Sequence, residues 1–209
     1  MAQKLKAEIR ARMVDAALSA FAEDGWEDSS MADIARRADI SVGNLYRYYA
    51  GKEELLDAAI SAEAAAELED LAARKIRAMG GRALDSDEGK ATEEKERAAL
   101  IAGLMEKRRE LSFLCGGAEG SPRAGFPRRF AEALASEFRT YALAVGADHA
   151  KLNTPLAEKL LLAIYENLTL AAREVFRAAQ TEAELATALE TLIAYHMGGV
   201  KRLIEYFKR

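Results

Sequence analysis

Apolar positions recur along this chain at the spacing of helices. One helical face near the amino terminus is formed by Ile9, Met13, Ala16, Ala17, Ala20 and Phe21. This pattern predicts a first helix from about Lys4 to Glu23, and Gly25 is free to take the left-handed conformation that ends helices. Two shorter helical segments follow, MADIARRAD and VGNLYRYYA. A long helix followed by two short ones is the arrangement of a helix-turn-helix.

A serine precedes each of the two short segments. Ser30 can cap the second helix, and Asp33, three residues later, can act as its capping-box partner. Ser41 can cap the third helix. A fourth helix is predicted from Gly51 to about Met79, which is long enough to connect two domains.

Two polar, glycine-containing stretches interrupt the rest of the chain. GGRALDSDEGK, residues 80–90, predicts a mobile loop, and helical periodicity returns from Thr92 to about Arg109. GGAEGSPRAGFP precedes another predicted helix, from about Pro127 to Val145. This second stretch has no P-loop lysine and no preceding strand, so it matches no phosphate-binding loop.

The last third of the chain has the strongest periodicity. One stripe contains Leu160, Leu161, Ile164, Leu168, Ala171, Val175 and Phe176. The next contains Leu185, Leu189, Leu192, Ile193, His196, Val200, Leu203, Ile204 and Phe207. The two helices are predicted to form an antiparallel pair, and pairing with a second copy would complete a four-helix bundle. The alternative is that both stripes pack within their own domain.

Composition favours an all-α fold, since the 209 residues include only three prolines and are rich in alanine, leucine, glutamate and arginine. The net charge of −4 does not exclude a nucleic-acid binder, because basic and acidic side chains balance in residues 1–52 and the deficit lies beyond them. A single cysteine excludes an internal disulfide, and the charged amino terminus and short apolar runs predict neither export nor membrane insertion. We therefore expect a cytoplasmic protein.

The segment MADIARRADISVGNLYRYYAGKEELL resembles the DNA-binding domain of the TetR family of bacterial transcriptional repressors. The resemblance covers residues 5–56, about the first quarter of the chain. It implies a DNA-binding domain over 1–51 and a larger helical domain over 52–209 for effector binding and dimerisation. It further implies a homodimer, formed through the last two helices, that binds a palindromic operator in double-stranded DNA and is released by a small-molecule effector of unknown identity. No cofactor or metal is expected.

The third helix is the predicted recognition helix. Val42 could contact a thymine methyl group, Asn44 a base or a phosphate, and Arg47 guanine or the backbone, while Gly43 permits close approach. The hydroxyl groups of Tyr46 and Tyr48 suit phosphate oxygens, whereas Leu45 and Tyr49 are expected to anchor the helix. The resemblance implies phosphate contacts for Ser30, Arg36 and Lys52. The complete predicted DNA-binding set is Ser30, Arg36, Ser41, Val42, Gly43, Asn44, Tyr46, Arg47, Tyr48 and Lys52.

Structural alternatives exist for several of these residues. Ser30 and Ser41 could serve only as caps, Arg36 and Arg37 could belong to a solvated face, and Lys52 could pair along its own helix. Polar or aromatic side chains that interrupt apolar faces are the candidates for effector binding, although each could be core or surface. They are Phe113, Tyr141, Tyr165, Asn167, Arg173, Tyr195 and His196.

The remaining reactive groups indicate no enzyme. Asp148 beside His149 could supply an acid and a base, but no nucleophile, metal-ligand spacing or cofactor loop accompanies them. His196 is expected to be a hydrogen-bonded interface residue, and Cys115 either a thiol sensor or a buried small hydrophobe. A DNA-binding scaffold without an effector is the other alternative. An apolar cavity with a few converging polar groups would favour the sensor, and a filled core the scaffold.

Overall fold

The computed structural model of the chain describes residues 2–68 and 87–209. Every regular element in these two ranges is a helix, which confirms the all-α prediction for them. The amino-terminal helices are α1 (Ala2–Asp24), α2 (Met31–Arg37), α3 (Val42–Tyr46) and α4 (Lys52–Ala59). α1 ends as predicted, because Gly25 has φ 85° and its N–H donates to Phe21 O at 3.1 Å.

The other helices of the described residues range from four to 27 residues. They are α5 (62–68), α6 (Asp87–Glu106), α7 (Arg108–Ser112), α8 (Phe126–Ala144), α9 (His149–Leu152), α10 (Pro155–Ala178) and α11 (Glu182–Lys208). A single π-helical turn, Phe113–Gly117, follows α7 directly. Pro127 lies in the first turn of α8 and Pro155 begins α10, positions where the missing N–H of proline costs no helical hydrogen bond.

The predicted fourth helix is not continuous. α4 ends at Ala59, because Ile60 takes extended backbone angles of φ −140° and ψ 90°. The next helical turn has its own cap, since Ser61 Oγ accepts a hydrogen bond from Ala64 N at 3.1 Å. The prediction of one uninterrupted helix is therefore wrong at 60–61, because the local side-chain cap competes with helix propagation. Residues 69–79 of that prediction lie outside the described residues.

The predicted loop over residues 80–90 is also wrong in part. Residues 87–90 are helical and belong to α6, whereas the prediction resumed the helix only at Thr92. The segment DEGKA contains good helix formers, and its single glycine costs only about 1 kcal/mol relative to alanine in a helix. Residues 80–86 lie outside the described residues.

Two apolar clusters hold these helices together. In the first, the centroid of the Phe21 ring lies 5.5 Å from that of Trp26 and 5.6 Å from that of Phe113, so α1 packs directly on the π-helical turn. Leu55 of α4 is fully buried in the same cluster. The second cluster joins α8, α10 and α11. Because the first cluster extends from α1–α4 into the larger part of the chain, the division at 51/52 stays a prediction.

Candidate nucleic-acid interface

Both short amino-terminal helices begin at the predicted serine caps. Ser30 Oγ accepts from Asp33 N at 3.1 Å and donates to Asp33 Oδ2 at 2.6 Å. The hydrogen bond from Ser30 is the largest cause that lowers the pKa of the Asp33 carboxyl. Ser41 Oγ accepts from Asn44 N at 3.1 Å. The capping predictions are confirmed, and the Ser30 hydroxyl already has a carboxylate acceptor.

The turn between α2 and α3 is held from α1. Asp39 has φ 53°, a left-handed conformation that is uncommon outside glycine. Arg12 donates to the main-chain oxygen of Ala38 and, at 3.1 Å, to that of Asp39. This role of Arg12 was not predicted, because its only signal in the sequence is a basic residue in a helix that precedes the turn.

α3 presents two different sides. Leu45 is fully buried in the first apolar cluster, whereas Val42 and Tyr46 are 38% and 52% exposed. Apart from its chain neighbours and the backbone of its own helix, no described atom lies within 4 Å of the point where Gly43 would carry a Cβ. An open groove runs beside this exposed side, between α3 and the starts of α2 and α4. The exposed side therefore has room for a large partner.

The aromatic and basic residues after Tyr46 lie in a turn. α3 ends at Tyr46, and Arg47 is its exposed C-cap. The Tyr48 ring is half-buried and lies 5.5 Å from the guanidinium carbon of Arg10. Tyr49 packs against the first apolar cluster, as predicted, and burial raises the pKa of its phenol. The predicted recognition helix is thus shorter than its sequence pattern indicated.

The ammonium group of Lys52 faces the protein. Nζ donates to the main-chain oxygens of Trp26 and, at 2.8 Å, Ser29, and it lies 4.4 Å from the centroid of the Trp26 ring. Burial lowers the pKa of this lysine. Its phosphate contact stays a prediction, and its structural role is to tie the start of α4 to the α1–α2 connection.

Arg36 and Arg37 have different environments although they are adjacent. Arg37 donates to Glu23 and Asp24 at 2.6 Å each, and its side chain is only 23% exposed. Its hydrogen bond to Glu23 raises the pKa of the guanidinium. Arg36 is 72% exposed and is 3.5 Å from Asp33 on its own helix. Arg37 therefore secures the end of α1, and Arg36 is open to solvent.

The predicted effector-binding residues do not converge on one place. Phe113 is fully buried in the first cluster. Tyr165 is buried in the second, where its ring centroid lies 5.1 Å from that of His196, and burial raises the pKa of Tyr165 to about 12 and lowers that of His196. Arg173 is half-buried beside Gly116. The exposed candidates are Tyr141, Asn167 and Tyr195.

A cavity of about 580 Å³ lies elsewhere, between the end of α4, α5 and α6. Its apolar walls include Ile60, Leu68, Leu100 and Leu104, with small residues Ala59, Ala64, Ala99 and Gly103. Its polar lining is Glu67, Glu106, Lys107 and Glu110. This cavity was not predicted from the sequence, because its walls combine short segments far apart in the chain and none has a recognisable motif.

Other reactive groups have structural roles. Cys115 is 3% exposed and burial raises its pKa to about 12, which fits the buried hydrophobe and not the thiol sensor. Asp148 caps α9 by accepting from Ala150 N at 2.8 Å. Within the described residues, no set of three or more metal-ligating side chains converges, and none of the helices there could span a bilayer.

Residues 13–59 match the family model of bacterial regulatory proteins, tetR family. The HTH-type transcriptional repressor KstR of Rhodococcus jostii is 43% identical over 56 residues, 27% of this chain and 26% of KstR. The HTH-type transcriptional regulator BetI of Escherichia coli O139:H28 is 34% identical over 70 residues, 34% of this chain and 35% of BetI. The chain therefore matches about a quarter to a third of the length of these relatives.

Similarity to solved structures extends over more of the chain but is weaker. The transcriptional regulator FadR from Bacillus subtilis, solved in complex with stearoyl-CoA, aligns with 87% of this chain and 96% of its own, at 15% identity and a TM-score of 0.42. A TM-score of 0.42 does not establish a shared fold.

Proposed function

We propose that the chain is a homodimeric transcriptional regulator, since residues 13–59 match the family model of bacterial regulatory proteins, tetR family. In this proposal the dimer represses transcription from a palindromic operator and leaves it when a small molecule binds the larger domain. The observation that carries the proposal is the exposed side of α3, beside an open groove, on a helix whose opposite side is fully buried. The bacterial cytoplasm, where the DNA lies, is the proposed place of action.

Base recognition is assigned to the start of α3 and to its C-cap. A recognition helix meets base edges with its amino-terminal residues. Val42 is exposed there and suits a thymine methyl group, while Gly43 leaves space for the groove wall. Asn44 and the exposed Arg47 supply the hydrogen bonds, and a bidentate arginine–guanine pair contributes about 1 to 3 kcal/mol of discrimination.

Phosphate contacts are assigned to the residues around this helix. Tyr46 and Tyr48, which precede and follow Arg47 in the sequence, have hydroxyl groups suited to phosphate oxygens, and Arg36 is exposed on α2. Ser30 and Lys52 line the same groove. We expect them to contribute less to phosphate binding, because both already form hydrogen bonds within the protein. Ser41 acts through its cap, which fixes the direction of α3.

Dimerisation is assigned to α10 and α11. These helices expose Leu156, Leu160, Leu170, Ile193 and Met197, with exposures between 38% and 77%. On α10, Leu156, Leu160 and Leu170 recur at spacings that place them on one side of the helix. Exposed apolar side chains that share one helix face are typical of an interaction site. Pairing with the same surface of a second copy would give a four-helix bundle and present two recognition helices to successive turns of DNA.

The cavity between α4, α5 and α6 is the proposed effector site. Its volume of about 580 Å³ falls within the range of about 300–1,000 Å³ for small-molecule pockets. Apolar walls with a few charged groups favour a sensor over a scaffold without an effector. Because Ile60 lines the cavity, an occupant would lie against the end of α4. A coupling of about 1 to 3 kcal/mol is typical of such linked sites.

Selection of genomic DNA fragments by the purified protein at moderate salt tests the proposal. We expect a palindrome to be enriched. On that palindrome, Arg47→Ala should relax base preference, whereas Tyr48→Phe should weaken binding to all sequences alike. Lys151→Gln is the control, since Lys151 is exposed on α9, outside the proposed DNA-binding helices. Enrichment of no fragment at any salt concentration would refute a DNA-binding function.

A further inference from the structure

We propose that Arg123 is a positioning residue, which latches the end of α4 to the larger helical body and so sets the separation of the two recognition helices. This inference rests on the proposed function. It assigns to one side chain the mechanical connection between the DNA-reading part of the chain and the remainder.

Arg123 makes two contacts with the end of α4. Its Nη2 atom lies 2.5 Å from Asp57 Oδ1 and donates to the main-chain oxygen of Ile60 at 3.2 Å. The Arg123 side chain is 11% exposed, so its guanidinium is largely shielded from solvent, whereas Asp57 is 63% exposed and the ion pair is screened from that side. A cationic donor at the last carbonyls of a helix also complements the helix dipole. The contact falls where the backbone becomes extended and α4 stops.

The backbone around Arg123 is held by hydrogen bonds within the larger helical body. Ser121 is buried, its Oγ accepts from Arg123 N at 3.0 Å, and its own N–H donates to Ala118 O at 2.9 Å. Ala118 directly follows the π-helical turn and belongs to the first apolar cluster. The Arg123 backbone is therefore part of the larger body and not of a free loop.

The same segment also contacts the α1–α2 connection. Gly117 O accepts from Trp26 N at 2.8 Å. Gly120, with φ 74°, passes so close that a Cβ there would lie 3.2 Å from Glu27 Oε1. Residues 117–123 thus meet the helix-turn-helix unit at two points, the end of α1 and the end of α4. With the first point fixed by the backbone, rotation of α4 against the body requires Arg123 to release Asp57 and Ile60.

Ile60 connects the latch with the cavity. Its carbonyl oxygen accepts the Arg123 hydrogen bond, and the same residue lines the 580 Å³ cavity. An occupant that displaces Ile60 would therefore act on the latch directly. Ile60 alone connects the cavity with the end of α4.

Operators with altered half-site spacing test the latch. Arg123→Gln removes the cation from both contacts, whereas Asp57→Asn removes the ion pair and leaves the hydrogen bond to Ile60 O. Arg128→Gln is the control, because Arg128 pairs with Glu132 at 3.0 Å on its own helix. For the wild type, changing the spacing by one base pair should weaken binding strongly. In both latch variants we expect that penalty to shrink about fivefold or more, the lower end of typical allosteric couplings. The control should keep the wild-type spacing profile.

A distance measurement tests the same latch without DNA. Spin labels at Glu53→Cys on α4 and Ser136→Cys on α8 are both at exposed positions, and the buried Cys115 should not react. In mixtures with excess unlabelled protein, the distance distribution should broaden when Arg123 is replaced by glutamine. Melting curves establish that each variant is folded.

Each outcome decides the proposal. An unchanged distance distribution in folded Arg123→Gln overturns it, and so does an unchanged spacing penalty. A broadened distribution in a protein whose wild type binds no DNA refutes the proposed function and leaves the latch in place. If Arg123→Gln does not fold, Asp57→Asn decides, because Asp57 is 63% exposed and its loss disturbs little else. Failure of both to fold makes the pair purely structural and overturns the proposal.

Discussion

Lys52 Nζ lies 4.4 Å from the centroid of the Trp26 ring and donates to the main-chain oxygen of Trp26. A second hydrogen bond, to Ser29 O at 2.8 Å, completes a link between the first residue of α4 and the α1–α2 connection. Arg123 holds the other end of the same helix. α4 is therefore fixed at both ends by cations that donate to main-chain carbonyls.

Replacement of Lys52 by glutamine should destabilise the fold. The variant loses charged hydrogen bonds and the contact with the indole face, so we expect the free energy of unfolding to fall by about 1 to 3 kcal/mol. Chemical denaturation followed by circular dichroism measures this change. Lys151→Gln, at an exposed site on α9, should leave it unchanged. If Lys52→Gln instead keeps its stability and loses only DNA affinity, the ammonium group binds DNA phosphate and does not stabilise the fold.

Neighbouring arginines should separate stability from DNA binding. Arg37→Gln loses its contacts to Glu23 and Asp24, which should cost about 0.2 to 1 kcal/mol per pair. Arg36→Gln loses only a 3.5 Å contact with Asp33 and should melt like the wild type. Its expected effect is on DNA, where one lost phosphate contact lowers the slope of log K against log salt by about 0.9.

Melting curves and salt titrations of the two variants provide the comparison. Each is the control for the other, since the same substitution is made at adjacent positions. An Arg37→Gln variant with unchanged melting and a reduced salt slope would reverse the assignment of the two side chains.

Local features of the amino-terminal part could be predicted from sequence. Ser30 and Ser41 cap their helices because a serine hydroxyl needs only a backbone N–H three residues later, which sequence spacing determines. Gly25 ends α1 for a similarly local reason. The break at Ser61 was missed because the same capping chemistry competes with a long apolar period, and sequence alone does not show which effect dominates.

Contacts between distant segments could not be predicted in this way. The partner of Arg123 lies 66 residues earlier, and Lys52 bonds to a carbonyl 26 residues earlier. Nothing in local spacing distinguishes either residue from a solvated cation. The effector candidates failed to converge for the same reason, since an aromatic residue in an apolar stripe, such as Tyr165, is recognised only as buried and not by what surrounds it.

The cap at Ser30 should give a pH-dependent contribution to stability. The Ser30 hydrogen bond, foremost among the causes, keeps the pKa of Asp33 below its ordinary value of 3.8. A carboxyl with a lowered pKa in the folded state stabilises that state above its unfolded pKa, and this contribution is lost as pH falls through the folded pKa. In Ser30→Ala we expect the pKa of Asp33 to rise towards 3.8.

Carboxyl titration by NMR measures that shift, and denaturation from pH 6 to pH 2 measures the stability difference. The difference between wild type and Ser30→Ala should shrink below about pH 3.8, because protonated Asp33 no longer benefits from the hydroxyl donor. Ser41→Ala is the control, since Ser41 bonds only a backbone N–H and its effect should not change with pH over this range. An Asp33 pKa that stays the same in Ser30→Ala would contradict the assignment.

The proposed dimer can be tested at Leu160 of α10. This side chain is 50% exposed, and Leu160→Glu would place a charge in the proposed dimer interface in both copies. A loss of about 2 kcal/mol per copy corresponds to a dimer dissociation constant raised about a thousandfold.

Leu5→Glu is the matched control, because Leu5 is 59% exposed on α1, outside that surface. Sedimentation equilibrium should show monomers of Leu160→Glu at concentrations where the control and the wild type are dimers. Binding to a full palindrome should fall with it, since a monomer reads one half-site; a dimeric Leu160→Glu would place the interface on another face of the molecule.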